Sequence, residues 1–160
     1  MKKLRLLLVD DEHEFVETLA ERLKLRDLDA SIARNGEEAL SAVEREEPDV
    51  IVLDLKMPGI HGIEVLRRVK EAYPNVEVII LTGHGSKKDE EAALRLGAFD
   101  YVKKPADLDT LVSRIKNAFK RKMSKLERTF MAVAFAEEGE FDTAKEVMED
   151  EEEKKKGKGD

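Results

Sequence analysis

Separate stretches of this chain each end an apolar run in a side chain that can hold or transfer a phosphate: Asp10 and Asp11 after LLLV, Asp54 after VIVL, Thr82 after VIIL, and Lys104 after YVK. Carboxylates gathered in one place repel one another, and their pKa values rise unless a cation neutralises them. Magnesium suits such a set, because it takes oxygen ligands in octahedral geometry, keeps several waters and shares its sphere with phosphate oxygens. A carboxylate there can attack phosphorus and become an aspartyl phosphate. The Thr82 hydroxyl and the Lys104 ammonium can then hold the phosphoryl oxygens, which is the positioning and electrostatic work that phosphoryl transfer needs. Taken singly, each residue has a plainer explanation. An aspartate at a helix start is an ordinary cap, a loop threonine an ordinary hydroxyl, and a lysine usually a solvated charge. Their joint occurrence at successive strand ends is what favours a site.

The elements that must position them can be read from hydrophobic spacing. Leu4 to Val9 is almost entirely apolar, the pattern of a strand buried on both faces of a parallel sheet. Similar runs recur at Ala30 to Ala33, Val50 to Leu53, Val76 to Leu81 and Phe99 to Val102. Between them lie helical spacings: Phe15, Leu19 and Leu23; Ala39 and Val43 after a capping Asn35; Ile63, Leu66 and Val69; Ala92, Ala93 and Leu96 up to Gly97; and Leu108, Leu111, Ile115 and Phe119. Five βα units predict right-handed crossovers and a doubly wound parallel sheet covered on both sides. The ligand site of such a fold lies beyond the carboxyl ends of the strands.

Composition narrows the function classes. The chain has 160 residues, room for one domain with a real core and a short appendage. It has no cysteine, which excludes disulfides and thiolate metal sites, and the cytoplasm is the expected compartment. No stretch reaches the roughly 20 apolar residues of a membrane-spanning helix. The formal net charge of -7 opposes sequence-independent binding to nucleic acid.

The strings LLLVDDE, DVIVLDLKMPGIHG, VIILTGHG and GAFDYVKKPAD, in that order, strongly resemble the receiver domain of bacterial two-component response regulators, the CheY-like family. The likeness covers about residues 4 to 122. It implies a flavodoxin-like five-stranded sheet of order 2-1-3-4-5. It implies Asp54 as phosphoacceptor, Mg2+ as cofactor, Asp11 as a direct ligand, Asp10 acting largely through water, and the backbone carbonyl of Lys56 completing the protein ligands. Thr82 is then expected to move toward the phosphoryl group and Tyr101 to turn inward, reshaping the face of the fourth helix, fifth strand and fifth helix. Lys104 rather than Lys103 is the family's lysine, since it precedes Pro105, and that bond is expected to be cis. Lys56 and His84 stand two residues beyond Asp54 and Thr82, where the family tunes dephosphorylation. Pro58 and Gly59 shape the loop beyond Asp54, Gly62 a tight turn, and Gly83 room for backbone near the site.

The expected partners are a sensor histidine kinase or phosphotransfer protein as donor and a downstream protein as target. No nucleic-acid or membrane partner and no DNA-binding output domain are expected. A homodimer through the face just named, or through the C-terminal segment, stays open. The chemistry ends on the protein itself, which marks a regulator rather than an enzyme. Two alternatives remain: an aspartyl-phosphate phosphatase, whose nucleophile belongs beside the first strand, and a scaffold indifferent to phosphate.

Beyond about residue 122 the spacing predicts a helical hairpin over 123–150, then a charged mobile tail over 151–160. Nothing between Leu108 and Glu138 is Gly or Pro, which allows the fifth helix to continue unbroken, while Ser124 and Glu127 at capping-box spacing offer a new start instead. AFAEEGEFDTAKEVMED resembles the centre of one tetratricopeptide repeat. Phe130, Phe135, Gly139, Phe141, Ala144 and Met148 are the expected packing positions. A single repeat cannot bury its own face, so the hairpin is expected to dock in cis, in trans or on a partner.

Overall fold

The structure, a computed structural model, describes residues 3–137. The expectations for Gly139, Phe141, Ala144, Met148 and the charged tail fall outside the described residues. The chain divides into two compact units, Met1–Lys122 and Met123–Asp160.

The first unit alternates strand and helix: β1 (Leu6–Val9), α1 (His13–Lys24), β2 (Ala30–Ala33), α2 (Gly36–Arg45), β3 (Val50–Leu53), α3 (Gly62–Ala72), β4 (Glu77–Thr82), α4 (Lys87–Arg95), β5 (Asp100–Lys103) and the start of α5 (Leu108–Glu137). The strands form one parallel sheet in the order β2-β1-β3-β4-β5. Side chains alternate across a strand, so each strand feeds two cores. Leu7, Val9, Ile51, Leu53, Val78 and Ile80 pack with Val65, Leu66 and Val69 of α3. Leu6, Leu8, Val50, Val52, Ile79 and Leu81 pack on the other face with Val16 and Leu23 of α1 and Leu111 and Ile115 of α5. This two-sided burial is why the strands are continuous apolar runs; each fully buried Leu, Ile or Val contributes about 1.5–3 kcal/mol.

Local signals behave as their chemistry requires. Asn35 Oδ1 accepts from Glu38 N at 2.8 Å and caps α2. Gly97 leaves α4 at φ +100°, a conformation that disfavours other residues. Of the two alternatives for the C-terminal side, the unbroken helix is the one found: Ser124 and Glu127 both lie inside α5 and start no new helix. Thr129 Oγ1 donates to Lys125 O at 3.0 Å, a bond that lets a hydroxyl sit within a helix. Phe130, Met131 and Val133 are exposed, and Phe135 is half-buried.

The strand limits differ from the apolar runs at three places. β1 begins at Leu6, β4 runs one residue later than Val76–Leu81, and β5 one residue later than Phe99–Val102. Hydrogen-bond register, not hydrophobicity, sets these ends: Glu77 pairs with Val50 and Thr82 with Lys103.

Candidate functional site

Strand order reverses at β1, which pairs with β2 on one side and β3 on the other. The helices after β1 and β3 pack on opposite faces of the sheet, and the crevice between these connections opens at the carboxyl ends of β1 and β3. Val9 and Leu53 are in register, so Asp10 and Asp54 emerge side by side. Their backbones are tied in: Asp54 N donates to Val9 O at 2.9 Å and Asp10 N to Ala33 O at 3.1 Å. On the far side, Lys104 N donates to Thr82 O at 3.0 Å, which brings the ends of β4 and β5 to the same rim.

Carboxylate oxygens of Asp10, Asp11 and Asp54 all lie within 4.8 Å of one another. Asp10, Asp54 and Thr82 are buried and Asp11 is half-buried. Asp54 Oδ1 accepts from Leu55 N at 2.9 Å, and Asp10 Oδ1 from Glu12 N at 2.9 Å. Lys104 Nζ reaches Asp10 Oδ2 at 2.6 Å and stands 4.1 Å from the centre of the Phe15 ring. Burial pushes the Asp54 carboxyl above its ordinary value; the Thr82 hydrogen bond and the Lys104 charge pull it down without cancelling that, and the Asp10 charge adds to the rise. Three clustered carboxylates, all hard oxygen donors, are a fitting set for a small divalent cation.

The other predicted positions are distributed as follows. Tyr101 stands on β5 with its hydroxyl fully enclosed, an inward position. Lys103 is exposed and Lys104 half-buried; the Lys104–Pro105 bond is cis. Lys56 and His84 are exposed, and His84 N approaches Thr82 Oγ1 at 3.4 Å.

Two glycines act for other reasons than those first assigned. Gly62 needs no left-handed turn; a Cβ there would lie 2.4 Å from Asp54 O and 2.6 Å from Leu55 Cα, so the start of α3 is pressed against the backbone of the Asp54 loop. Gly83 is not required for space, since its Cβ would come no nearer than 3.6 Å, to Lys104 Cβ. Sequence reasoning missed Phe15 as the ring under Lys104; it was legible only as a member of the apolar face of α1. His61 has a local role that its spacing did not reveal: its Nδ1 accepts from Ile63 N at 3.2 Å and caps α3.

The sheet order, the acidic cluster and the lysine together define a receiver-type α/β domain. The chain belongs to the response regulator receiver domain family, whose model matches residues 6–116. Receiver domains serve two-component systems, where they are phosphoacceptors, interact with histidine kinases or phosphotransfer proteins, and bind Mg2+ at an acidic cluster. The chain is 38% identical over 125 residues to the transcriptional regulatory protein TrcR of Mycobacterium tuberculosis, covering 78% of this chain and 48% of that protein. It is 36% identical over 118 residues to the response regulator MprA of Mycobacterium leprae, covering 74% and 52%. It thus spans about half the length of the curated relatives it matches. A CheY-like receiver domain protein from Methanospirillum hungatei superposes with a TM-score of 0.75 at 26% identity, over 78% of this chain and 99% of that one. A receiver domain from Clostridium thermocellum gives 0.72 at 33%, over 75% and 97%.

Proposed function

We propose that this chain is a phosphorylation switch in a two-component relay, with Asp54 as the acceptor. The observation that carries this reading is the burial of Asp54 beside Asp10 and Asp11, with Thr82 and Lys104 at the same rim. An Asp54 oxygen attacks the phosphorus of a phosphohistidine, the P–N bond breaks as the O–P bond forms, and the imidazole leaves with a proton. Asp10, Asp11, Asp54 and the backbone carbonyl of Lys56 are the groups that would hold Mg2+. Bound there, the ion neutralises the carboxylates and the incoming phosphate. Lys104 exchanges part of its contact with Asp10 for a phosphoryl oxygen, and Thr82 donates its hydroxyl to another. Lys56 and His84, exposed at the mouth, tune access of the hydrolysing water.

A groove of about 410 Å³ beside the site, lined by Glu14, Phe15, Leu19, Pro105, Ala106 and Leu108 among others, suits an apolar helix of the donor protein. The altered surface is that of α4, β5 and the first turns of α5, where Leu94 is 48% exposed; a downstream protein or a second copy is its partner. The part of α5 beyond Lys122, where Phe130, Met131 and Val133 are exposed, serves as a docking segment. We assign the protein to the cytoplasm; no helix among the described residues is long and apolar enough to cross a membrane.

The test is incubation with a small phosphodonor and Mg2+ followed by intact-mass measurement. Addition of one phosphate to the wild type and none to Asp54→Asn is expected; an unmodified wild type would refute the reading.

A further inference from the structure

Two glycines flank His84 in the loop between β4 and α4, and only one is confined. A Cβ on Gly85 would fall 1.6 Å from Tyr101 Oη, 2.9 Å from Tyr101 Cζ and 3.0 Å from Thr82 Cγ2. Gly85 has no left-handed φ, so its backbone would accept other residues. The demand for glycine comes chiefly from the tyrosine ring, with Thr82 Cγ2 a lesser neighbour that gives by a few tenths of an ångström.

The ring cannot withdraw by moving its backbone, because Tyr101 is held in register with Ile80 inside the sheet. Its only other course is rotation about χ1, which carries a rigid side chain out of the crevice as a unit. In the inward seat the hydroxyl has no exposure, and no protein group among the described residues hydrogen-bonds to it. Such a seat is costly for a phenol, so it is held by shape. Burial first, then the charges of Asp89, Glu90 and Asp54, push the hydroxyl above its ordinary pKa.

We propose that Gly85 is the positioning residue for Tyr101: the missing side chain at 85 is the seat of the inward ring, and any Cβ there expels it. The state of the α4–β5 face is thereby tied to one position outside the phosphate-binding set. The inference deepens the proposed switch and rests on Thr82 and Tyr101 being its moving parts.

The chain has two tyrosines and no tryptophan, so Tyr73→Phe leaves Tyr101 as the sole tyrosine fluorophore. In that full-length background, acrylamide should quench Tyr101 weakly, and adding Gly85→Ala should raise the quenching constant several-fold. Gly85→Ala should also lower the urea midpoint when Tyr101 is present and leave it unchanged in a Tyr101→Ala background, where the ring's space is free. Unchanged quenching, or an equal midpoint loss in both backgrounds, would overturn the proposal. Neither readout uses phosphate, so failure of Asp54 to accept a phosphoryl group would count against the proposed function alone.

Discussion

Lys104 Nζ lies 2.6 Å from Asp10 Oδ2, a pair joining residues 94 positions apart in the chain, with side chains only 14% and 6% exposed. The Phe15 ring covers the ammonium from a second direction. Lys104 therefore balances the charge of the buried Asp10 carboxylate, and under the proposed function it stands beside the position that a phosphoryl oxygen takes.

Lys104→Met removes that cation and leaves a buried carboxylate without its charge partner. A loss of about 1.5–3 kcal/mol in metal-free buffer is expected, the worth of a charged hydrogen bond. Millimolar Mg2+ should recover most of it by supplying a cation, while phosphoryl uptake stays slow. Denaturant titrations with and without the ion check the first statement, and mass-resolved phosphorylation the second.

Asp54→Asn should stabilise the metal-free protein at neutral pH. The folded-state pKa of Asp54 is raised, so the folded protein holds its proton more tightly than the unfolded chain does. The stability associated with the protonated form is therefore full below the unfolded value and lost as pH rises through the folded one. Asparagine abolishes that loss. A higher Tm than that of the wild type is expected at pH 7. The difference should shrink below about pH 4, where the unfolded carboxyl is itself protonated, and on adding Mg2+. Thermal melts across pH measure it.

Gly62→Ala forces a methyl into the backbone at Asp54 and Leu55. Overpacking of this kind costs about 1–3 kcal/mol, and here the relief must come from the loop that carries Asp54. Slower phosphorylation should accompany lower stability, whereas Gly83→Ala, which meets only ordinary contacts, should change neither greatly. Comparing the two variants by urea titration and phosphodonor kinetics separates a local effect at Asp54 from a general one.

Lys122 Nζ and Asp49 Oδ1 form a buried pair at 2.7 Å, and the other Asp49 oxygen accepts from Arg5 N at 2.8 Å. Asp49 precedes β3, so the pair lies at the opposite end of the sheet from Asp54. Asp49→Ala leaves a buried ammonium and should cost about 3–5 kcal/mol. The fraction that remains folded should take phosphate at the wild-type rate. A phosphorylation defect beyond the loss of folded protein would show that this end of the sheet communicates with the site.

Much of the fold was written in local pattern. Parallel strands buried on both faces need apolar residues on both, and LLLV, VIVL and EVIILT carry them. Asn35 and Gly97 ended or started helices because their side-chain and backbone chemistry acts within a few residues. The resemblance supplied the strand order, and positions at strand ends indicated that Asp10, Asp11, Asp54, Thr82 and Lys104 gather at one rim.

Contacts between distant segments that no motif marks were not legible. Nothing near Gly85 in the chain indicates that Tyr101 fills its space, nothing near Gly62 that it abuts Asp54 O, and nothing near Asp49 that Lys122 is its partner 73 residues on. The sequence by itself determined which groups are available and on which elements they sit, since propensity, capping and periodicity are local forces. Only the tertiary structure decided which glycine is obligatory, which lysine meets which aspartate, and how far a carboxyl is shifted, because excluded volume and desolvation exist only once separate strands lie side by side.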